Sequence, residues 1–401
     1  MHGDARHGLD HRERDRVTTL LTGGLVLDPD TGDITRADVL LDGDRILAVG
    51  NGLAGDEAVD CADGLLVPGL IDCHAHVAFP RGGELPRSAR ILESVPVLRS
   101  LLERGVTTVR DAWGADAGLT HALREGWITG PDLLISLRQL SPTGGLGDAW
   151  SPDTGRADRI GDPSLPDPIF DGADAARAAV RRMVRAGADW IKVGAGGGMR
   201  DVMLGREVTA TEAELHAIVD EARRCGRDVL AHAHGARSVT AAARAGVRSV
   251  EHGVFLDEES IAAMREHGCW FVPTLAPIRG NSDAEVVAVH ERSVRLAVAA
   301  GIPVAAGSDL AVRPHVDLLT ELRLLADAGL GDLGALRAAT VEGARLLRLE
   351  HDRGRVVAGL RADLLLLHDG RPDVHDLADR VHTVWHNGRP VCRQRLRCDS
   401  P

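Results

Sequence analysis

The stretch Pro68-Gly69-Leu70-Ile71-Asp72-Cys73-His74-Ala75-His76 reads as an apolar strand that ends in two histidines at alternate positions. Successive side chains of a strand point to opposite faces, so His74 and His76 share a face and can share a metal ion. Zinc and its relatives take three or four protein ligands, so the rest must come from elsewhere in the chain. Four further apolar or β-branched runs end in ligand-type residues: Trp190-Ile191-Lys192-Val193, Val229-Leu230-Ala231-His232, Ser249-Val250-Glu251-His252 and Val304-Ala305-Ala306-Gly307-Ser308-Asp309. Helical-looking segments separate them, and strands alternating with helices imply a parallel sheet. In a closed (β/α)8 barrel the C-terminal ends of the strands converge on one mouth, which would bring these segments together. Each residue alone has a plain alternative. The His-x-His pair could be structural, Lys192 could be solvated or salt-bridged, and Asp309 could cap the next helix. Their shared order and strand-end placement favour a metal site.

Within His232-Ala233-His234-Gly235 both histidines would face the same side of a strand, and the sequence alone does not choose the ligand. Glu251 precedes His252 and is expected to point the other way, in a structural role.

The ordered set His74, His76, Lys192, His232, His252 and Asp309 resembles the amidohydrolase superfamily of metal-dependent hydrolases. The likeness is nearest to its imidazolonepropionase-like and Xaa-Pro and Xaa-Arg dipeptidase branch and runs over residues 18–391. The resemblance implies a (β/α)8 TIM-like barrel with a small β-sandwich domain formed by both chain ends. It also implies two divalent metal ions, zinc by default, and a CO2-derived carbamate on Lys192 that bridges them. His74, His76 and Asp309 would hold one ion and His232 and His252 the other, with His234 left for substrate contact or a part in catalysis. A metal-bridging hydroxide would attack an amide carbonyl, and Asp309 would pass the proton to the leaving nitrogen. The expected substrates are dipeptides or N-acyl amino acids. The alternatives are a cyclic amide, as in imidazolone ring opening, and a deamination. Deaminases of the superfamily lack the bridging lysine and carry a glutamate soon after the strand-five histidine, whereas here Gly235 and Ala236 follow. A non-catalytic scaffold is the remaining alternative, and such relatives lose ligands that this chain keeps.

The loops bear on the substrate. Ser141-Pro142-Thr143-Gly144-Gly145-Leu146-Gly147-Asp148 resembles the family's Thr-Gly-Gly-His-Gly-Asp loop, with Leu146 in place of the histidine. Gly144 and Gly145 are therefore candidate substrate contacts, as are Arg200, Arg313 and His315, which follow ligand-bearing strand ends. Residues 150–170, rich in Pro, Asp and Gly, are expected to form a long loop over the mouth, either a lid or a surface excursion. Gly194-Ala195-Gly196-Gly197-Gly198 lacks the G-x-G-x-x-G pattern and a Walker lysine, so its glycines are assigned to close backbone approach beside Lys192. Arg110-Asp111 is expected to pair internally.

Composition fits this reading. The 401 residues, 44% hydrophobic, can bury one large core with a smaller attachment. A balance of 47 basic and 59 acidic residues, net charge -12, disfavours nucleic acid and anionic membranes as partners. Tyrosine is absent, so metal, histidine, arginine or backbone must polarise a substrate. No apolar stretch approaches a membrane span, and the polar residues 1–16 read as a disordered tail without a secretory core. Six cysteines without a C-x-x-C pair point to a reduced, cytoplasmic protein. A homo-oligomer is left open.

Residues 17–67 and 351–396 are β-rich and should pair as the sandwich, while 68–350 should hold the barrel. Helical periods are expected at 173–186, 211–225 and 318–328.

Overall fold

The computed structural model describes residues 17–79, 86–153, 155–157, 162, 164–205, 207, 209–310 and 317–391. Arg313 and His315, the tail 1–16, and Cys392 and Cys398 lie outside these residues.

The chain is a (β/α)8 barrel with a two-sheet β-sandwich to which both chain ends contribute. The first barrel strand, Leu70–Ala75, pairs in parallel with Val106–Asp111, which pairs with Asp132–Ile135. The third strand then breaks at Leu137, whose φ of 63° turns the backbone. It resumes as Gln139–Pro142, paired with Ile191–Gly194. Val229–Gly235, Ser249–Phe255 and Trp270–Val272 follow in order, all parallel. Single bridges from Val304 to Phe271 and from Leu310 to Ala75 close the ring. Gly307 allows the eighth strand to come this close, because a Cβ there would lie 2.6 Å from Val272 Cγ1 and 2.7 Å from His74 Cβ.

Alternation decides which way the site residues face. Ile191 and Val193, like Ala231 and Ala233, join the main apolar core packed with the helices, so Lys192, His232 and His234 face the barrel interior. The helices form where their period is apolar, and some are capped by side chains. Ala173–Arg185 and Glu212–Arg224 occupy the first two expected spans. Thr211 and Glu214 close a capping box on the latter helix. Over the third span, Leu318–Leu325 gives way to a π-helical turn, Ala326–Leu330.

Both chain ends contribute to one six-stranded sheet, in which Leu65–Pro68 lies between Leu25–Leu27 and Leu364–Leu367. The alternation here buries both faces. Leu65, Val67, Leu365 and Leu367 join the barrel core, while Leu66, Leu364 and Leu366 pack with Leu21, Val39 and Trp385 between the two sheets. Among the described residues no helix is long and apolar enough to cross a membrane.

Candidate metal centre and active site

The strand ends deliver the ligand-type residues to one place. His76 Nε2 is 3.0 Å and His74 Nε2 3.4 Å from the same Asp309 oxygen, and donor atoms of these three buried residues all lie within 4.8 Å of one another. Ring centroids run 5.2 Å from His74 to His76, 5.0 Å from His74 to His252, 4.6 Å from His252 to His232 and 4.6 Å from His232 to His234. Lys192, 1% exposed, lines the same cavity as His76, His232, His234, His252 and Asp309.

Hydrogen bonds orient each imidazole. His74 Nδ1 meets Glu251 at 2.5 Å, and His76 Nδ1 donates to the Trp113 carbonyl at 2.9 Å. His252 Nδ1 donates to Thr274 Oγ1 at 2.7 Å, since that hydroxyl spends its own proton on the Pro273 carbonyl. In all three Nδ1 is committed, which turns Nε2 towards the cluster, where a cation would be bound. His232 is reversed. Its Nε2 lies 3.3 Å from the Gly197 carbonyl, so Nδ1 carries the lone pair. The glycine run packs closely on its surroundings, since a Cβ at Gly196 would overlap Glu207 Oε1 at 2.0 Å.

Glu251 does not face away from the site as alternation suggested. It lies fully buried beneath His74 and takes two hydrogen bonds of 3.1 Å from Arg110, whose Nε also donates to the Cys73 carbonyl. Glu251 and His252 both reach the interior because His252 has φ 74°, which breaks the strand's alternation at that residue. Thr274 and Asp309 share this left-handed backbone, each with φ 53°. For β-branched Thr274 it is a genuine outlier, of a kind that clusters at functional sites. Arg110 and Asp111 are both satisfied internally but not by each other. Asp111 accepts from the backbone of Val77, Trp113 and Ala115.

Electrostatics follow from burial. Desolvation pushes the Lys192 amine down to about 8, although Glu251 and Asp309 pull it back up. Burial and the neighbouring imidazole of His234 put His232 well below its ordinary value, and burial with the charges of His232 and His234 does the same to His252. Both are therefore neutral and able to ligate. Burial would raise Asp309, but the His74 and His76 imidazoles outweigh it and keep the group ionised.

A cavity of about 670 Å³ opens above this cluster. Arg200 stands exposed at its rim, and His234 lines it with an Nδ1 that has no hydrogen-bond partner among the described residues. Gly144 and Gly145 turn the chain, the former held by Asp148 at 2.9 Å, and it is Leu146 that reaches the wall. Residues 149–157 include a small hairpin, Ala149–Ser151 with Gly155–Ala157, and no described residue of 150–170 lines the cavity. Sequence reasoning missed Thr274, Trp113 and Gln139. None stands at a recognisable spacing, and only the packing of neighbouring strands brings them in. A separate cluster of Asp332, Asp373 and His375 shares no residue with the mouth.

Fold and site define a metal-dependent hydrolase built on a (β/α)8 barrel. The chain matches the Amidohydrolase family model over residues 65–391 and belongs to that family. It is 29% identical to ochratoxinase of Aspergillus niger across 92% of this chain and 86% of that protein. It is 28% identical to a 5-methylthioadenosine/S-adenosylhomocysteine deaminase of Haloarcula marismortui, across 92% of this chain and 89% of that one. Among solved structures it is similar to a prolidase in complex with N-methylphosphonate-L-proline, with a TM-score of 0.83, 34% identity, and coverage of 94% of this chain and all of the other. The protein is thus a metal-dependent hydrolase of carbon–nitrogen bonds, in the prolidase-like branch of the family, and the site and its structural relatives support amide-bond hydrolysis.

Proposed function

We propose that the protein cleaves the amide bond of a dipeptide or N-acyl amino acid at a centre of two divalent ions, zinc by default, with Lys192 carboxylated between them. The observation that carries this is a pair of buried atoms. Lys192 Nζ and His74 Nε2 have no hydrogen-bond partner among the described residues, yet sit among four buried histidines and the ionised carboxylate of Asp309. Buried polar atoms left so are costly unless something else satisfies them, and this donor set suits divalent cations. His74, His76 and Asp309 would hold one ion and His232 and His252 the other. The ions would supply a water that ionises near neutral pH and a Lewis acid for the carbonyl.

The chain's own groups do the rest. Glu251, Trp113 and Thr274 fix the tautomers of His74, His76 and His252, and Asp309, ionised and beside both first-strand histidines, takes the water's proton and delivers it to the leaving nitrogen. Arg200 at the rim suits a free carboxylate, and His234, neutral because burial pushes it down to about 3, can donate to or accept from the substrate amide. Deamination is disfavoured by the buried lysine at 192 and by Gly235 and Ala236, where an acid would be needed. The free thiols of Cys61, Cys73, Cys225 and Cys269 agree with a reduced cytoplasm.

The test is metal content per chain with electron density at the Lys192 amine, on protein grown with zinc and bicarbonate, followed by hydrolysis assays on N-acyl amino acids and dipeptides. Two ions, a carbamate and amide turnover are expected. One ion with a bare lysine, and turnover only on aminated rings, would replace the reading with deamination.

A further inference from the structure

The cavity above the metal-binding residues carries a group of apolar side chains on its wall, beside the polar Asn281, Ser282 and Asp283. Met199 opens the short helix Met199–Met203 and packs against the cluster formed by Val254, Ile278 and Val286. Leu146 lies against the start of the same helix, its Cδ1 3.4 Å from where a Cβ on Gly198 would be. Past Met199, Met203 and Leu204 remain 56% and 51% exposed on the cavity's edge. Large apolar side chains left in water beside a preformed pocket are a mark of ligand binding, and methionine adapts to varied apolar shapes. Leu146 extends this surface.

We propose that this wall is the specificity subsite, and that the substrate amide carries a bulky apolar group, an acyl chain or side chain of about six or more carbons, which lies on Leu146, Met199, Met203 and Leu204. The proposal rests on the amide-hydrolase reading and narrows it. A cavity of about 670 Å³ accommodates such a group, whereas a small dipeptide would leave most of the wall wet. Each methylene buried there strengthens binding by about fourfold at most.

The test compares kcat/KM of the metal-loaded protein on N-acetyl-, N-hexanoyl- and N-octanoyl-alanine and on N-acetyl-leucine and N-acetyl-phenylalanine, with binding of the same compounds by calorimetry. A rise of about tenfold or more from acetyl to octanoyl is expected, and Met203→Asp and Leu146→Asn should each reduce that octanoyl-to-acetyl ratio by about tenfold. Equal rates along the series with normal metal content would overturn the subsite and keep the amide-hydrolase reading. Size-dependent binding without hydrolysis of any amide would keep the subsite and remove that reading. If Met203→Asp leaves the ratio unchanged but dissociates a dimer seen on size exclusion, the rim is an interface between copies and the proposal fails.

Discussion

At the scale of single residues, the site depends on groups that hold ligands as much as on the ligands. Asp309 is both a donor to the proposed centre and the base of the proposed mechanism, and Asp309→Asn keeps an oxygen donor while removing the basicity. Turnover should fall by about 10²–10⁴ with metal content unchanged, as judged by kinetics alongside elemental analysis. An active variant would take Asp309 out of the proton transfer. Glu251 makes a different demand. It is an acceptor for His74 and the only carboxylate paired with the fully buried Arg110 among the described residues. Burial would raise its pKa, but Arg110 and His74 hold it down to about 2. Glu251→Gln leaves a buried guanidinium without its counter-charge, so a loss of about 3–5 kcal/mol in denaturant unfolding is expected. Metal affinity should fall about 10–100-fold in zinc titrations because His74 is no longer steered. Wild-type affinity in that variant would mean that the first strand orients His74 unaided.

At the scale of elements, one buried carboxylate joins a helix to a ligand. Glu321, on Leu318–Leu325, accepts the backbone N–H groups of Leu275 at 2.9 Å and Ala276 at 2.8 Å. These open the short helix Leu275–Arg279, directly after Thr274, whose hydroxyl holds His252. Glu321→Ala would strand both donors out of water, and a cost of about 1–3 kcal/mol is expected by chemical denaturation. Thr274→Val should cost less stability but weaken metal binding, because it removes the acceptor that holds His252, along with the hydroxyl's own bond to the Pro273 carbonyl. If the two variants behaved alike in metal titrations, the helix rather than the hydroxyl would be the support. The close packing of the eighth strand on the first makes a third element-scale case. Gly307→Ala would press on His74 and Val272, and should lower stability by about 1–3 kcal/mol together with metal content.

For the whole molecule, acidic residues that each hold several arginines tie together segments far apart in the chain. Asp352 pairs with Arg45 at 2.7 Å, Arg353 at 2.8 Å and Arg361 at 3.0 Å, and Asp30 pairs with Arg345 at 3.0 Å and Arg355 at 2.5 Å. Burial alone would raise both carboxyls, but the guanidiniums outweigh it and hold them below the ordinary value of 3.8. In acid the unfolded chain therefore takes up protons before the folded one. The stability these clusters confer is present above the ordinary carboxylate range and is lost as pH falls through the depressed folded values. Melting temperature should drop on acidification from about pH 5 to pH 3, and Asp30→Asn with Asp352→Asn should flatten that slope while lowering stability at neutral pH. An unchanged slope would place the acid sensitivity elsewhere.

Much of this protein is legible without a structure, because its signals are local. Apolar or β-branched runs mark barrel strands, and the ligand types His74, His76, Lys192, His232, His252 and Asp309 stand where those runs end. A parallel barrel carries all such ends to one mouth whatever the loop lengths between them. The helices Ala173–Arg185 and Glu212–Arg224 follow from periodicity in the same way. The tertiary structure alone decided what lies beneath and around the ligands. Glu251 was misplaced because alternation assumes an unbroken strand, whereas His252 adopts φ 74°. Thr274, Trp113 and Glu321 act through contacts between segments 22 to 46 residues or more apart in sequence. No spacing rule records such contacts, since they arise from how strands and helices pack in space. The apolar wall is likewise a property of four segments meeting, and no one of them shows it alone.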